Sequence, residues 1–216
     1  MRSKAAAAFL VAAAALSAPA LAQTPPGPQV LLGKVTAVSP ASVTLTVDGK
    51  PETVKLSPKL VVYVLTPTTP DQIKPGSFIG TTNIPSATGG RSTEVHIFPP
   101  GVKLGEGDRP WPSQPGAKTA SRMTNGAVTG VQRAETSRMT NGAVGAVKAA
   151  GGALSFDVAY AGGTKRVTVP KGTQITTMNP GAISDVKPGA GVTVIAVTGP
   201  DGVRQASLIN VEPPGK

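Results

Sequence analysis

Apolar and polar residues alternate with a period of two along much of this 216-residue chain. Val43-Thr44-Leu45-Thr46-Val47 alternates in this way, Asp48-Gly49 follows, and Thr53-Val54-Lys55-Leu56 alternates again. A period of two places every second side chain on one face of a strand, and Asp-Gly is a favoured two-residue hairpin connection. The pattern predicts a β-hairpin here and an all-β fold class overall.

The same criteria predict further strands in two groups. The N-terminal group covers residues 60–65, 77–82 and 93–98. The C-terminal group covers residues 153–160, 165–169, 174–178, 191–196 and 204–211, with Gly162-Gly163 as a hairpin turn. Short helical turns are predicted at residues 71–74 and 184–187. A Pro-Gly pair follows each segment and ends the turn.

A Gly-x-Val-x-x-Val pattern occurs three times, beginning at Gly33, Gly126 and Gly142. The segments after the first and third copies resemble each other, since Ile-Lys-Pro-Gly at 73–76 corresponds to Val-Lys-Pro-Gly at 186–189. Valines three apart lie on opposite faces of a regular strand, so both reach one core only if the strand is bulged between them. The repeat predicts two copies of one small β-domain, each with a bulged first strand.

We therefore expect two tandem five-stranded barrels at residues 31–98 and 137–212, of the oligonucleotide/oligosaccharide-binding type. SH3-like barrels or small sandwiches are the alternative. A Pro- and Gly-rich linker is expected at residues 99–136, and short tails at 23–30 and 213–216.

The octapeptide Ser-Arg-Met-Thr-Asn-Gly-Ala-Val occurs twice, at residues 121–128 and 137–144. Only one copy can contribute the first strand of the second barrel. Residues 141–148 are the favoured choice, because their distance from the next predicted strand matches the first barrel. The spare copy is left to pair on a sheet edge or to stay mobile.

Residues 1–22 have the organisation of a secretory signal peptide. Two basic residues precede an apolar stretch from Ala5 to Leu16, and Ala20-Leu21-Ala22 has the small residues of a cleavage site. The apolar stretch is shorter than the roughly 20 residues that a membrane-spanning helix needs. We expect a periplasmic protein that begins at Gln23 and does not span the membrane.

Charge and composition narrow the choice of partners. The formal net charge is +10 and the chain has no cysteine, which excludes disulfide and thiolate chemistry. Basic residues are scattered without a run of four or more, which is typical of solvated faces and protected edges. The few aromatic residues also offer little for stacking on bases. Nucleic acid is therefore not an expected partner.

Few residues offer chemistry. His96 is the only histidine, and Asn210 takes its place in the second repeat, so we expect a solvent-facing strand residue rather than a base or ligand. His96, Glu106 and Asp108 are weak candidates for a metal site, because two carboxylates fall short of the oxygen set that calcium binds. A local ion pair with Arg109 is the favoured interpretation. No catalytic residue, cofactor-binding residue or cofactor is predicted.

Arg109 and Trp111 are the candidate ligand contacts. Trp111 stands between two prolines in the expected linker. Its large ring either fills the interface between the barrels or stays exposed as an anchor for a sugar or peptide.

Several runs of this sequence resemble a group of secreted proteins from Gram-negative bacteria that contain small β-domains of unknown function. The runs are Glu94 to Pro99, Gly105 to Trp111, Met139-Thr140-Asn141-Gly142 and the Val-Lys-Pro-Gly turn at 186–189. The resemblance covers nearly the whole mature chain and implies periplasmic β-domains. It supplies no catalytic residues, and some members of the group carry labels that mention metal transport permeases.

The favoured function is non-enzymatic binding or scaffolding in the periplasm, with an envelope protein, peptide or polysaccharide as the partner. The alternative is an accessory role in metal or small-molecule handling, which rests on His96, Glu106 and Asp108. A hydrolase ranks last, because no Ser-His-acid set or carboxylate pair stands out in the repeats.

The signal peptide expected at residues 1–22, called the leader below, predicts where the protein isolated from the cell envelope begins. We expect N-terminal sequencing to find Gln23 first, because Ala20-Leu21-Ala22 presents small residues to the signal peptidase. A chain expressed without residues 1–22 is the control and should stay in the cytoplasm. An envelope protein that still begins with Met1 would contradict the periplasmic assignment.

Overall fold

The structure is a computed structural model, and it describes residues 27–112, 119–133, 154–199 and 201–214. The expected leader lies outside these residues. Among the residues that the structure describes, no helix has the length and apolar character that crossing a membrane requires.

Twelve strands join in one continuous sheet within the described residues. They are β1 (Gln29–Val38), β2 (Ser42–Val47), β3 (Lys50–Pro67), β4 (Phe78–Ser86), β5 (Gly89–Ile97), β6 (Gly107–Trp111), β7 (Ser121–Arg133), β8 (Leu154–Tyr160), β9 (Gly163–Val169), β10 (Gln174–Gly181), β11 (Gly191–Thr198) and β12 (Arg204–Val211). The all-β prediction is confirmed. The segments predicted at 53–56 and 60–65 are two halves of the long strand β3. The predicted helical turns are 3₁₀ turns, Pro70–Gln72 and Ile183–Asp185.

Both predicted hairpin turns are present, one of them displaced. Asp48-Gly49 joins β2 to β3 with left-handed φ values of 48° and 78°. The turn between β8 and β9 lies one residue earlier than predicted, at Ala161-Gly162, because Gly163 already pairs with Tyr160.

The bulge expected from the Gly-x-Val-x-x-Val pattern occurs twice in the part of the chain that the structure describes. The register shifts between Val35 and Ala37 where β1 pairs with β2, and between Val128 and Gly130 where β7 pairs with β8. Both bulged valines are 1% exposed. Each bulge bends its strand and turns the valine into a core.

Five strands form a closed barrel in the order β1, β2, β3, β12 and β11. All neighbours are antiparallel except β12 and β3, whose parallel pairing closes the circle. Valine, leucine, isoleucine and alanine side chains fill the inside, including Val43, Leu45, Val194 and Ile209 at 0% exposure. Closure leaves these strands without a free edge.

A second ring contains β7, β8, β9, β5 and β4. It returns on itself through a short parallel pairing in which Gly90 and Arg91 of β5 face Val167 and Thr168 of β9. Its core is centred on the fully buried Phe156.

The expected arrangement of two barrels in tandem is not confirmed, because each set of five strands takes strands from both repeats. Strands β11 and β12 of the C-terminal repeat complete the closed barrel, while β4 and β5 of the N-terminal repeat complete the second ring. The connections explain the exchange. Ile73, after β3, is buried in the core of the second ring, and its counterpart Val186 is buried in the core of the closed barrel.

The strand pairings of the two predicted repeats correspond to each other. Residues Val62 to Pro67 of β3 pair antiparallel with Thr176 to Gly181 of β10, its counterpart. The parallel pairing of β12 with β3 corresponds to the parallel pairing of β5 with β10. Ile209 faces Val62 in the first pairing, and its counterpart Val95 faces Ile175 in the second. The contact between β3 and β10 therefore joins the two sets of strands.

The expected linker at residues 99–136 contains two complete strands, β6 and β7. Strand β7 pairs with β4, β6 and β8. The first octapeptide copy, at residues 121–128, therefore takes the position in the second ring that β1 takes in the closed barrel. The favoured choice, residues 141–148, lies outside the described residues. Strand β6 has no counterpart among the strands of the other repeat that the structure describes.

The exchange of strands predicts how a split chain behaves. We expect fragments 27–112 and 119–214, co-expressed with a tag on one of them, to co-purify as a 1:1 complex that survives dilution. The reason is that neither fragment holds all five strands of the closed barrel or of the second ring. The measurement is size-exclusion chromatography with light scattering, with the uncut chain as control. Fragments that separate into folded monomers would support the tandem arrangement instead.

Candidate functional site

A cavity of about 80 Å³ lies where the closed barrel meets the second ring. One wall comes from β1, β11 and β12, and the other comes from β4, β5 and β7. Residues 104–111, which we name the strap, contain β6 and partly cover the cavity through Leu104, Gly105, Arg109 and Trp111. We refer to this space as the junction cavity.

The repeat predicted from the sequence relates the two walls position by position. Equivalent residues on the barrel wall and the ring wall are Leu32 and Asn125, Thr193 and Gly80, Ile195 and Thr82, Leu208 and Glu94, and Asn210 and His96. In three of these five pairs an apolar residue on the barrel wall corresponds to a polar residue on the ring wall. The junction cavity therefore has one mainly apolar wall and one polar wall.

His96 is buried in the polar ring wall, where it is 7% exposed. The expectation of a solvent-facing histidine is therefore wrong. Val95 points into the core of the second ring, so His96 points outward, and the closed barrel covers that face. Its Nδ1 lies 2.7 Å from Thr176 Oγ1, and its Nε2 lies 3.7 Å from Glu94 Oε1. These contacts hold the imidazole in one orientation.

Three residues of the lining carry buried oxygen atoms without a hydrogen-bond partner in the described structure. They are Thr82 Oγ1, Asn125 Oδ1 and Asn210 Oδ1. The Asn125 amide is oriented by its own bond, because Nδ2 donates to the Leu104 carbonyl at 3.0 Å. An unsatisfied buried polar group costs about 1–3 kcal/mol. The residues that carry these atoms line one cavity, which is therefore a candidate place for water or for a ligand that donates hydrogen bonds.

Strand β6 presents different residues on its two faces. Arg109 and Trp111 lie on the face of Met123 and line the junction cavity. Arg109 Nη1 donates to the Gly105 carbonyl at 2.6 Å. Partial burial lowers the pKa of Arg109, and the nearby carboxylate of Asp108 opposes this shift. Both candidate ligand contacts are thus brought to the cavity, and Trp111 is half-buried there rather than free on the surface.

Asp108 points to the opposite face of β6, where it fastens the strap. Its carboxylate accepts hydrogen bonds from Arg122 Nε at 2.8 Å, Lys165 Nζ at 3.0 Å and Thr124 Oγ1 at 2.7 Å. The ion pair expected with Arg109 is therefore made with Arg122 and Lys165 instead. Partial burial raises the pKa of Asp108, but the bonds from Thr124, Lys165 and Arg122 outweigh burial and leave this pKa below its usual value.

Glu106 also holds the strap rather than a ligand. Its Oε1 accepts a hydrogen bond from the backbone N–H of Ala161 at 2.7 Å. Of the three metal candidates, only His96 lines the cavity. Within the described residues, no group of three or more His, Cys, Asp or Glu side chains is placed to hold a metal ion.

Sequence analysis did not single out Thr82, Glu94 or Asn125. Each is a polar residue whose counterpart in the other repeat is apolar. A comparison of the two predicted repeats position by position would have included them, together with Thr81, whose counterpart is Val194 and whose hydroxyl bonds to Ser92 inside the second ring.

The Asp108 contacts predict a pH-dependent stability. We expect Asp108→Asn to lower the free energy of unfolding at pH 7 by about 1.5–3 kcal/mol, because Arg122 and Lys165 lose their counter-charge. The pKa of Asp108 is lower in the folded than in the unfolded state. Its contribution is therefore complete above about pH 4 and is lost as the pH falls through the folded-state pKa.

Urea unfolding of wild type and variant at pH 7 and pH 3 measures this difference. Asp157→Asn is the matched control, since Asp157 pairs with Arg166 at a more exposed site and should cost less than about 1 kcal/mol. Equal stabilities of wild type and Asp108→Asn at pH 7 would show that the strap is not held by this carboxylate.

Comparison with known proteins adds no constraint on this site. No protein-family model, no curated protein and no solved structure matches the chain.

Proposed function

We propose that this chain is a binding protein that holds a small polar ligand in the junction cavity. The observation that carries the proposal is that Thr82, Asn125 and Asn210, each with a buried oxygen that has no partner in the described structure, line one partly covered cavity. A fold gains nothing from leaving such groups unsatisfied. A ligand that donates to them would recover the lost hydrogen bonds.

The size of the cavity fits a small ligand, or one unit of a larger one. A water molecule needs about 10–15 Å³ of such space, so about 80 Å³ has room for roughly six waters. The strap supports a small ligand as well, because it partly covers the cavity. Within the described residues, the other repeat contributes no strand that corresponds to β6.

A binding role is favoured over an enzymatic one by the surroundings of His96. The side chains of Thr176, His96 and Glu94 contact one another in a row, as the nucleophile, base and acid of a hydrolase do. However, Thr176 is 0% exposed and is not part of the cavity lining. A substrate in the cavity would not reach its hydroxyl, so Thr176 acts as the residue that positions the imidazole.

Binding of a soft metal ion is the second candidate. The cavity brings His96 together with the buried thioethers of Met123 and Met178. Imidazole and thioether groups suit Cu(I) better than zinc or calcium. The oxygen atoms of Thr82 and Asn125 do not suit such an ion, and we rank this candidate second.

The place of action in this proposal is the bacterial envelope, as the leader and the resemblance to secreted proteins imply. A ligand from the periplasm or from an envelope polymer is then the natural choice. Scaffolding of an envelope protein remains compatible with the same fold, but it leaves the partnerless oxygens unexplained.

Filling the cavity tests the proposal. A Cβ on Gly80 would lie 2.8 Å from Asn125 Oδ1 and 3.2 Å from Phe98 Cε2, so Gly80→Ala must displace the amide. We expect this variant to bind its ligand at least about tenfold more weakly, which corresponds to about 1.4 kcal/mol. Gly130→Ala is the matched control, because its Cβ would lie 3.6 Å from Asp157 Oδ2, which is an ordinary van der Waals distance.

Ligands are captured from an envelope extract on the full chain, identified by mass spectrometry, and then titrated. Trp111 is the single tryptophan, so its fluorescence reports on the cavity directly. Capture of no small molecule by the wild type, or equal binding by wild type and Gly80→Ala, would overturn the proposal.

A further inference from the structure

We infer that the junction cavity binds a neutral, polyhydroxylated ring, which is the chemistry of a single sugar residue. The inference rests on the proposed binding function and adds the class of ligand to it. Charge balance, hydrogen-bonding capacity and the apolar surface of the lining support it independently.

The charged groups of the lining balance each other. Among the described residues that line the cavity, Glu94 carries a negative charge and Arg109 a positive one. A site for an ionic ligand instead concentrates charge of the opposite sign. One charge of each sign in the lining therefore favours a ligand without net charge.

The hydrogen-bonding groups of the cavity include both acceptors and donors. Thr82 Oγ1, Asn125 Oδ1 and Asn210 Oδ1 are without a partner, and the guanidinium of Arg109 can only donate. A hydroxyl group donates and accepts at once, whereas a carboxylate only accepts and an ammonium group only donates. Several hydroxyls on one ring can therefore satisfy both kinds of group.

The remaining lining offers flat apolar surface. Trp111 and Phe98 both line the cavity, and Phe98 is held by an edge-to-face contact with Phe78 at a centroid distance of 5.2 Å. Leu208 contributes from the barrel wall. The C–H faces of a sugar ring pack on such surfaces while its hydroxyls bond to the polar rim.

Two sources share this chemistry, a free monosaccharide and a residue within an envelope glycan. The test therefore has two arms, both followed by Trp111 fluorescence of the full chain. One arm titrates glucose, galactose, mannose and N-acetylglucosamine. The other titrates soluble tetrasaccharides of N-acetylglucosamine. Saturable binding of at least one of these sugars is expected, and the tighter arm identifies the source.

Two neighbouring threonines provide the decisive variants. Thr82→Val removes a partnerless oxygen with little change of shape, so we expect sugar binding about five- to tenfold weaker and a melting temperature of the free protein that is unchanged or higher. Thr81→Val is the matched control. Thr81 Oγ1 bonds to Ser92 Oγ at 2.9 Å inside the second ring, so this variant should lower the melting temperature and leave sugar binding unchanged.

The outcomes separate the inference from the function on which it rests. Propylammonium, acetate and silver ion are titrated alongside the sugars. If propylammonium or acetate binds with sensitivity to Gly80→Ala while no sugar binds, the ligand class is wrong and the binding of a small polar ligand stands. If only silver ion binds, the second candidate, a soft metal ion, replaces both proposals. Equal sugar binding by wild type and Thr82→Val also overturns the ligand class. If neither the probes nor an envelope extract yields a ligand, both proposals fail.

Discussion

The antiparallel pairing of β3 with β10 is the contact on which the rest of the structure depends. It joins the second half of β3 to its own counterpart and so places the closed barrel beside the second ring. Because equivalent strands meet there, the outer faces of β12, β11 and β1 are set against those of β5, β4 and β7. The junction cavity exists only because this pairing fixes the spacing of the two walls.

Strand positions could be predicted from the sequence because alternation with a period of two is a local signal. The exchange of strands could not. Strands β4 and β11 are counterparts in the predicted repeat, and alternation within a strand does not tell which set of strands it completes. Which set of strands each copy joins depends on the connecting segments. The connection after β3 contains Ile73, which is buried in the second ring, and its burial depends on the whole fold rather than on a local pattern.

The site was predicted only in part, for related reasons. Arg109 and Trp111 were expected to contact a ligand, and both line the cavity. His96 was expected to face solvent, because alternation tells which residues share a face but not what covers that face. Asp108 was expected to pair with its neighbour Arg109, although successive residues of a strand point to opposite sides and its partners come from β7 and β9.

The difference between the two walls has a consequence for how such a protein can evolve. In a symmetric dimer of single repeats, every substitution would appear on both walls at once. Two copies in one chain can change separately, so Leu32 can remain apolar while its counterpart Asn125 becomes polar. Gene duplication and fusion thus permit a one-sided cavity that fits an asymmetric molecule, which no homodimer encoded by one copy of the repeat could provide.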